Sequence, residues 1–177
     1  LLATPIYRSV GPSNTVALST GAGNNLTISN SIANFASSVD NDIGIGDILQ
    51  YDSNNDGTVD TLAVIYGRVN SQSFSLRDLS GAVVTDLATA DQDWSIFRAY
   101  TSLADAENGD ENTGIDVALR NFDTWSGGKN LVASNEQWNM TLYADGQETN
   151  PVTFSGWTTS ATNYLRVYPP NQSSEVG

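Results

Sequence analysis

Residues 49–67 read LQYDSNNDGTVDTLAVIYG, an Asp/Asn-rich turn between two apolar runs. Within it Asp52, Asn54, Asp56, the carbonyl of Thr58 and Asp60 fall at positions 1, 3, 5, 7 and 9 of a calcium-loop pattern. Gly57 takes position 6, where such a loop turns sharply. Oxygen donors at alternate positions suit a hard divalent cation, and Ca2+ is the expected ion. The last ligand position departs from the pattern, because Ala63 stands where an EF-hand has a bidentate glutamate and strand-like runs replace the flanking helices. The expectation is a weak site of the kind that extracellular β-proteins use. The competing reading is a solvated hairpin whose Asp and Asn side chains cap their own backbone.

Other chemistries are narrowed by what the chain lacks. It has no cysteine and no histidine. Disulfides, thiolate nucleophiles and Cys-ligated zinc are therefore excluded. So are Ser-His-Asp and Cys-His catalysis and the usual general base near neutral pH. A pair of carboxylates across a cleft is the remaining hydrolytic device. With twenty acids, a suitably spaced pair arises by chance. No catalytic residue is assigned, and the chain reads as not an enzyme. The five acids between Asp105 and Asp116 read first as a solvated helix–loop face and second as another cation site.

Of the four tryptophans, Trp94, Trp138 and Trp157 lie in strand-like runs, where an aromatic ring ordinarily fills the core. Trp125, in DTWSGG, is the candidate for an exposed glycan contact.

These residues must be positioned by a β scaffold. Short runs of Val, Ile, Leu, Thr, Tyr and Phe alternate with Gly/Asn/Asp/Ser turns. They predict strands over about 5–10, 15–19, 25–29, 31–36, 46–51, 60–69, 72–78, 93–100, 130–133, 136–144, 151–157 and 163–168. YTSLADAENG predicts a short helix over about 102–108, capped by Thr101 or Ser102 and stopped by Gly109; a second is expected over about 115–121. The fold class is all-β: a Greek-key, barrel-like or sandwich unit with short helices and a β-solenoid-like C-terminal part. The expected division is an N-terminal arm and first strands at 1–21, a compact β unit at 22–90, and a β unit with helices and solenoid-like strands at 91–177.

The formal net charge is −13, from seven Lys and Arg against twenty Asp and Glu. That field repels phosphate backbones and anionic lipid, which argues against nucleic-acid partners. No apolar run approaches the ~20 residues of a membrane-spanning helix, so membrane insertion is not expected.

Five segments in order, GIGDILQYDSNNDGTVDTLAVIYGR, DWSIFRAYTSLADAENG, NFDTWSGGKNLV, EQWNMTLYADG and FSGWTTSATNYLRVYPP, carry a resemblance. Together they resemble a module of large secreted or cell-surface proteins of uncultured bacteria that commonly precedes a right-handed parallel β-helix. The resemblance covers about residues 5–170 and implies a secreted or cell-surface location. The leading functional expectation is an extracellular structural module that self-associates through edge strands into a surface filament or sheath, with copies of itself as partners. TPIYRSVG at residues 4–11 is the candidate exchanged arm, burying Ile6, Tyr7 or Val10 in a neighbour; the competing reading folds it back on its own domain. The alternative function is a glycan-binding module of an adhesin or polysaccharide-degrading protein, with an extracellular glycan as partner.

Overall fold

The computed structural model describes residues 2–177. Its strands are β1 (Thr4–Val10), β2 (Ser19–Thr20), β3 (Leu26–Ser29), β4 (Ile32–Phe35), β5 (Ile48–Tyr51), β6 (Thr61–Arg68), β7 (Ser73–Arg77), β8 (Ala88–Asp91), β9 (Trp94–Phe97), β10 (Glu136–Leu142) and β11 (Leu165–Tyr168). Two short helices, α1 (Leu103–Asn108) and α2 (Leu131–Ser134), complete the set. The chain is mostly β, as expected.

Eight strands form one antiparallel sheet in the order β2-β9-β5-β6-β7-β4-β3-β8. Local chemistry explains its hairpins. Asn30 and Ser31 both take positive φ between β3 and β4, which is the two-residue turn whose twist matches that of the strands it joins. In β3 the pattern Leu26, Thr27, Ile28, Ser29 alternates buried and exposed, so one face is core and the other is wet. Because only Gln92 and Asp93 separate β8 from β9, the sheet curls back to its own beginning. The β2–β3 segment runs antiparallel to β8–β9, with Thr20 opposite Ser95 and Leu26 opposite Asp91. That pairing is the seam of a barrel-like shell. Its interior holds Leu26, Phe35, Leu49, Ile65, Phe74, Trp94 and Ile96. Phe35 meets Trp94 across it at 4.6 Å between ring centroids.

β1, β10 and β11 form a separate three-stranded parallel sheet, with Ile6 opposite Trp138 and Trp138 opposite Leu165. All four residues of β5 are buried because both of its faces are covered. Leu49 and Tyr51 face the barrel interior, while Ile48 packs with Val64, Tyr100, Val10 and Met140 between barrel and parallel sheet. Gly46, at φ 90°, permits the close approach: a Cβ there would stand 2.6 Å from the Ser9 nitrogen.

Several expectations are corrected. The segment 130–133 is helix α2 rather than a strand, because the Asn130 side chain caps it at Ala133 N–H and Asn135 ends it in the left-handed conformation. Residues 151–157 form no strand; beside them only a single bridge links Asn130 to Thr158. The segment 115–121 is a set of turns tied to Asp116. The strand over 15–19 shrinks to Ser19–Thr20, and β8 was not foreseen. The division near residue 90 does not hold either, since β9 belongs to the same sheet and core as β3 to β7.

Candidate functional site

The Asp-rich loop leaves β5 at Asp52, whose side chain is fully buried. One Asp52 oxygen accepts the N–H groups of Asn54 (3.0 Å) and Asn55 (2.7 Å), and the other accepts that of Gly57 (2.7 Å). Asn55 and Gly57 both take positive φ, wrapping the backbone around the carboxylate. Burial works to raise the Asp52 pKa, but the three N–H donors outweigh it and hold the group below its usual range. Asp60 accepts from Ser53 N–H (2.9 Å), the Asn54 amide (2.9 Å) and the Thr61 hydroxyl (2.8 Å). Asp56 accepts from Thr58 N–H (3.0 Å). Side chains expected to converge on an ion are thus engaged with the loop itself. Asp52, Asn54, Asp56, Thr58 and Asp60 form a self-capped hairpin, and only Asp52 joins an acidic cluster.

That cluster lies across the barrel seam. Asp91 ends β8 and Asp93 occupies the bend before β9. Asp52 joins them because its N–H donates to the Asp93 carbonyl at 3.0 Å. Carboxylate oxygens of Asp52, Asp91 and Asp93 lie within 4.8 Å of one another. Asp91 Oδ1 accepts Asp93 N–H at 2.9 Å, while Asp91 Oδ2 is buried and without a partner. A surface groove lined by Thr20, Gly57, Asp93 and Asp116 opens this end of the seam to solvent. Sequence spacing within the loop could not find Asp91 and Asp93, because strand closure brings them there. The only local signal is the pair of acids two apart in ADQDW.

A second set of acids is gripped by Arg8 of β1 and by Arg98 just past β9. Arg8 makes a two-pronged pair with Asp123, at 2.8 and 2.9 Å, and Tyr100 donates its hydroxyl to the same carboxylate. Arg98 grips Asp145 with Nε and Nη2 (2.8 and 2.9 Å), and Asp47 with Nη1 (2.8 Å). Its guanidinium lies 3.6 Å from the centre of the Tyr143 ring.

The tryptophans do not build a platform. Trp125 is half-buried and stands edge-on to Trp138 at 4.4 Å and 76°, and to Trp157 at 5.7 Å and 67°. Its indole N–H donates to the Glu107 carbonyl (3.1 Å). Beside it opens a cleft of about 340 Å³ lined by Ile6, Phe122, Asp123, Lys129, Glu136 and Trp138. Lys129 and Glu136 pair across it at 2.6 Å.

The candidate arm closes on its own chain. Ile6 and Val10 are buried, and Tyr7 packs edge-on to Tyr66. The outer edge of β1 is covered too: Ser9 N–H donates to the Gly46 carbonyl, Tyr100 N–H to the Ser9 carbonyl, and the Tyr66 hydroxyl to the Pro5 carbonyl. The opposite edge differs. Trp138 N–H donates to the Tyr164 carbonyl (3.0 Å), so Tyr164 and Arg166 face β10. Leu165 and Val167, one step out of phase, turn their N–H and C=O groups away from the sheet. Among the described residues no hydrogen bond engages those four groups. Val167 is 40% exposed and Tyr164 38%.

Comparison with known protein families, with curated proteins and with solved structures found no match for the chain. No helix among the described residues is long and apolar enough to cross a membrane.

Proposed function

We propose that this chain is a structural β module that pairs with a second copy of itself along β11. The observation that carries the reading is the open edge of the parallel sheet, with two N–H and two C=O groups unpaired beside the exposed Val167 and Tyr164. Unpaired strand edges recruit further strands unless they are blocked, and only Arg166 supplies a charge within this one. Two such edges related by a twofold axis meet antiparallel and satisfy each other. A filament or sheath built head to tail needs a second free edge, and β1 is capped. The reading therefore narrows to a paired module, for which a secreted or cell-surface setting is part of the proposal. A structural role also suits Asp47, Asp123 and Asp145, each of which is held by an arginine.

Val167→Pro tests this, because its N–H faces outward and its loss removes no bond to β10. In sedimentation across a concentration series the unaltered chain associates, more strongly as salt screens its negative charge. The Val167→Pro variant stays monomeric with an unchanged melting temperature. A chain monomeric at every concentration, or a variant that associates equally well, overturns the reading.

A second reading, glycan binding, is favoured by the cleft beside Trp125 with its Lys129–Glu136 pair. Quenching of tryptophan fluorescence by soluble oligosaccharides, lost in Trp125→Ala, would support it over pairing.

A further inference from the structure

We propose that Asp52, Asp91 and Asp93 form a binding site for a calcium-class divalent cation that clasps the barrel at its seam. Three carboxylates converge within 4.8 Å. Among the described residues, no Lys or Arg nitrogen lies within 4.0 Å of any of them. Asp91 is 7% exposed, and its Oδ2 is sealed from water with no hydrogen-bond donor. A buried carboxylate oxygen without a donor, beside two further carboxylates, is an arrangement that a cation completes and that nothing else on these strands does.

The acceptor inventory agrees. Asp52 already takes three N–H groups and Asp91 Oδ1 takes one, which fixes both carboxylates in place. Asp91 Oδ2 and the Asp93 carboxylate retain their full capacity. An all-oxygen, three-carboxylate site suits calcium, which fills its remaining positions with carbonyls and water. It offers nothing to a metal that prefers imidazole or thiolate. The site reuses one residue of the Asp-rich loop and excludes Asp56 and Asp60. The groove beside Asp93 supplies a route in from solvent.

The site ties together three pieces of chain that the fold must join for the barrel to close: the end of β5, the end of β8 and the bend into β9. Its occupancy is independent of pairing at β11.

The test uses the whole chain, freed of metal with chelator and titrated with calcium by calorimetry. Terbium serves as a parallel luminescent probe, excited through Trp94 and Tyr51, the neighbours of Asp93 and Asp52. One ion per chain is expected, with a dissociation constant of about 10⁻⁴–10⁻³ M. Asp91→Asn and Asp93→Asn should each weaken binding by about tenfold or more, while Asp56→Asn binds as the unaltered chain does. Asp93 is exposed, so its variant keeps its packing and decides the matter even if Asp91→Asn folds poorly. Absence of binding at about 10 mM calcium, well above that range, overturns the proposal. So does weakening by Asp56→Asn with none by Asp93→Asn, which would return the ion to the linear loop.

Discussion

At the junction formed by Arg8 and Arg98, Asp47, Asp123 and Asp145 each lie against an arginine; at the barrel seam, Asp52, Asp91 and Asp93 lie against one another. Each group contains fully or nearly buried carboxylates. They differ in where the compensating charge comes from. At the junction the chain supplies it from Arg8 and Arg98, two of its seven basic residues. At the seam it supplies none. Charge balance is permanent in the first place and depends on the solution in the second.

The sharpest way to break this comparison is to remove the internal cation. Arg98→Ala leaves Asp47 and Asp145 without their shared cation, with only Gly44 N–H and the Asn14 amide still donating to them, and breaking a buried pair from one side costs about 3–5 kcal/mol. Urea melts should show that loss, and adding Asp47→Asn should recover part of it. A cost near that of a surface substitution would mean that the junction does not rely on its arginine.

The seam should respond to calcium where the junction does not. Calcium at about 100 times its dissociation constant should stabilise the unaltered chain by about 2.7 kcal/mol relative to chelator, and Asp93→Asn by about 1.4 kcal/mol or less. In chelator the sign reverses. Asp93→Asn removes one of three mutually repelling charges and should melt slightly higher than the unaltered chain, by roughly 1 kcal/mol or less. Thermal melts of both proteins with and without calcium supply all four numbers. Equal melts in every arm would erase the distinction between the two regions.

Acid gives the smallest and most selective effect. Burial works to raise the pKa of Asp145, but its bonds from Arg98 and Asn14 hold it below the usual carboxylate range. A depressed folded-state pKa contributes stability that is present above the unfolded value of about 3.9 and is lost as pH falls through the folded value. Stability should therefore hold to about pH 4 and decline below it. Asp145→Asn should flatten that part of the profile while lowering stability at neutral pH. An unchanged slope below pH 4 would show that Asp145 contributes nothing to acid sensitivity.

How much of this was legible in the sequence depends on how far apart the partners lie. The hairpins of the barrel were readable because turn chemistry and alternation are local, as at Asn30–Ser31 and in Leu26–Ser29. Helix α1 was readable for the same reason: Ser102 caps it and Gly109 ends it at φ 75°. The segment LVAS in α2 has the apolar character of a strand, and its two flanking asparagines decided otherwise. ATAD in β8 has too little β-propensity to announce itself and is a strand because Leu26 and Ile28 lie opposite it. The acidic loop was visible as a cluster of oxygens, but its hydrogen bonds turn inward. The carboxylates that meet Asp52 come from another strand, and spacing within one loop says nothing about them.

The pairing of β1 with β10 has a consequence in time. Ile6 waits for Asn139, 133 residues further along the chain, before the carbonyl of the one receives the amide of the other. At a synthesis rate of about 5–20 residues per second, that wait is on the order of ten seconds. All eight barrel strands, ending at Phe97, emerge during the interval. The barrel can therefore assemble while β1 still lacks its neighbour, leaving Ile6 and Val10 open to wrong partners until β10 arrives. Expression that slows the ribosome between Phe97 and Glu136 should lengthen that exposure and lower the yield of soluble protein, even though the finished molecule is identical.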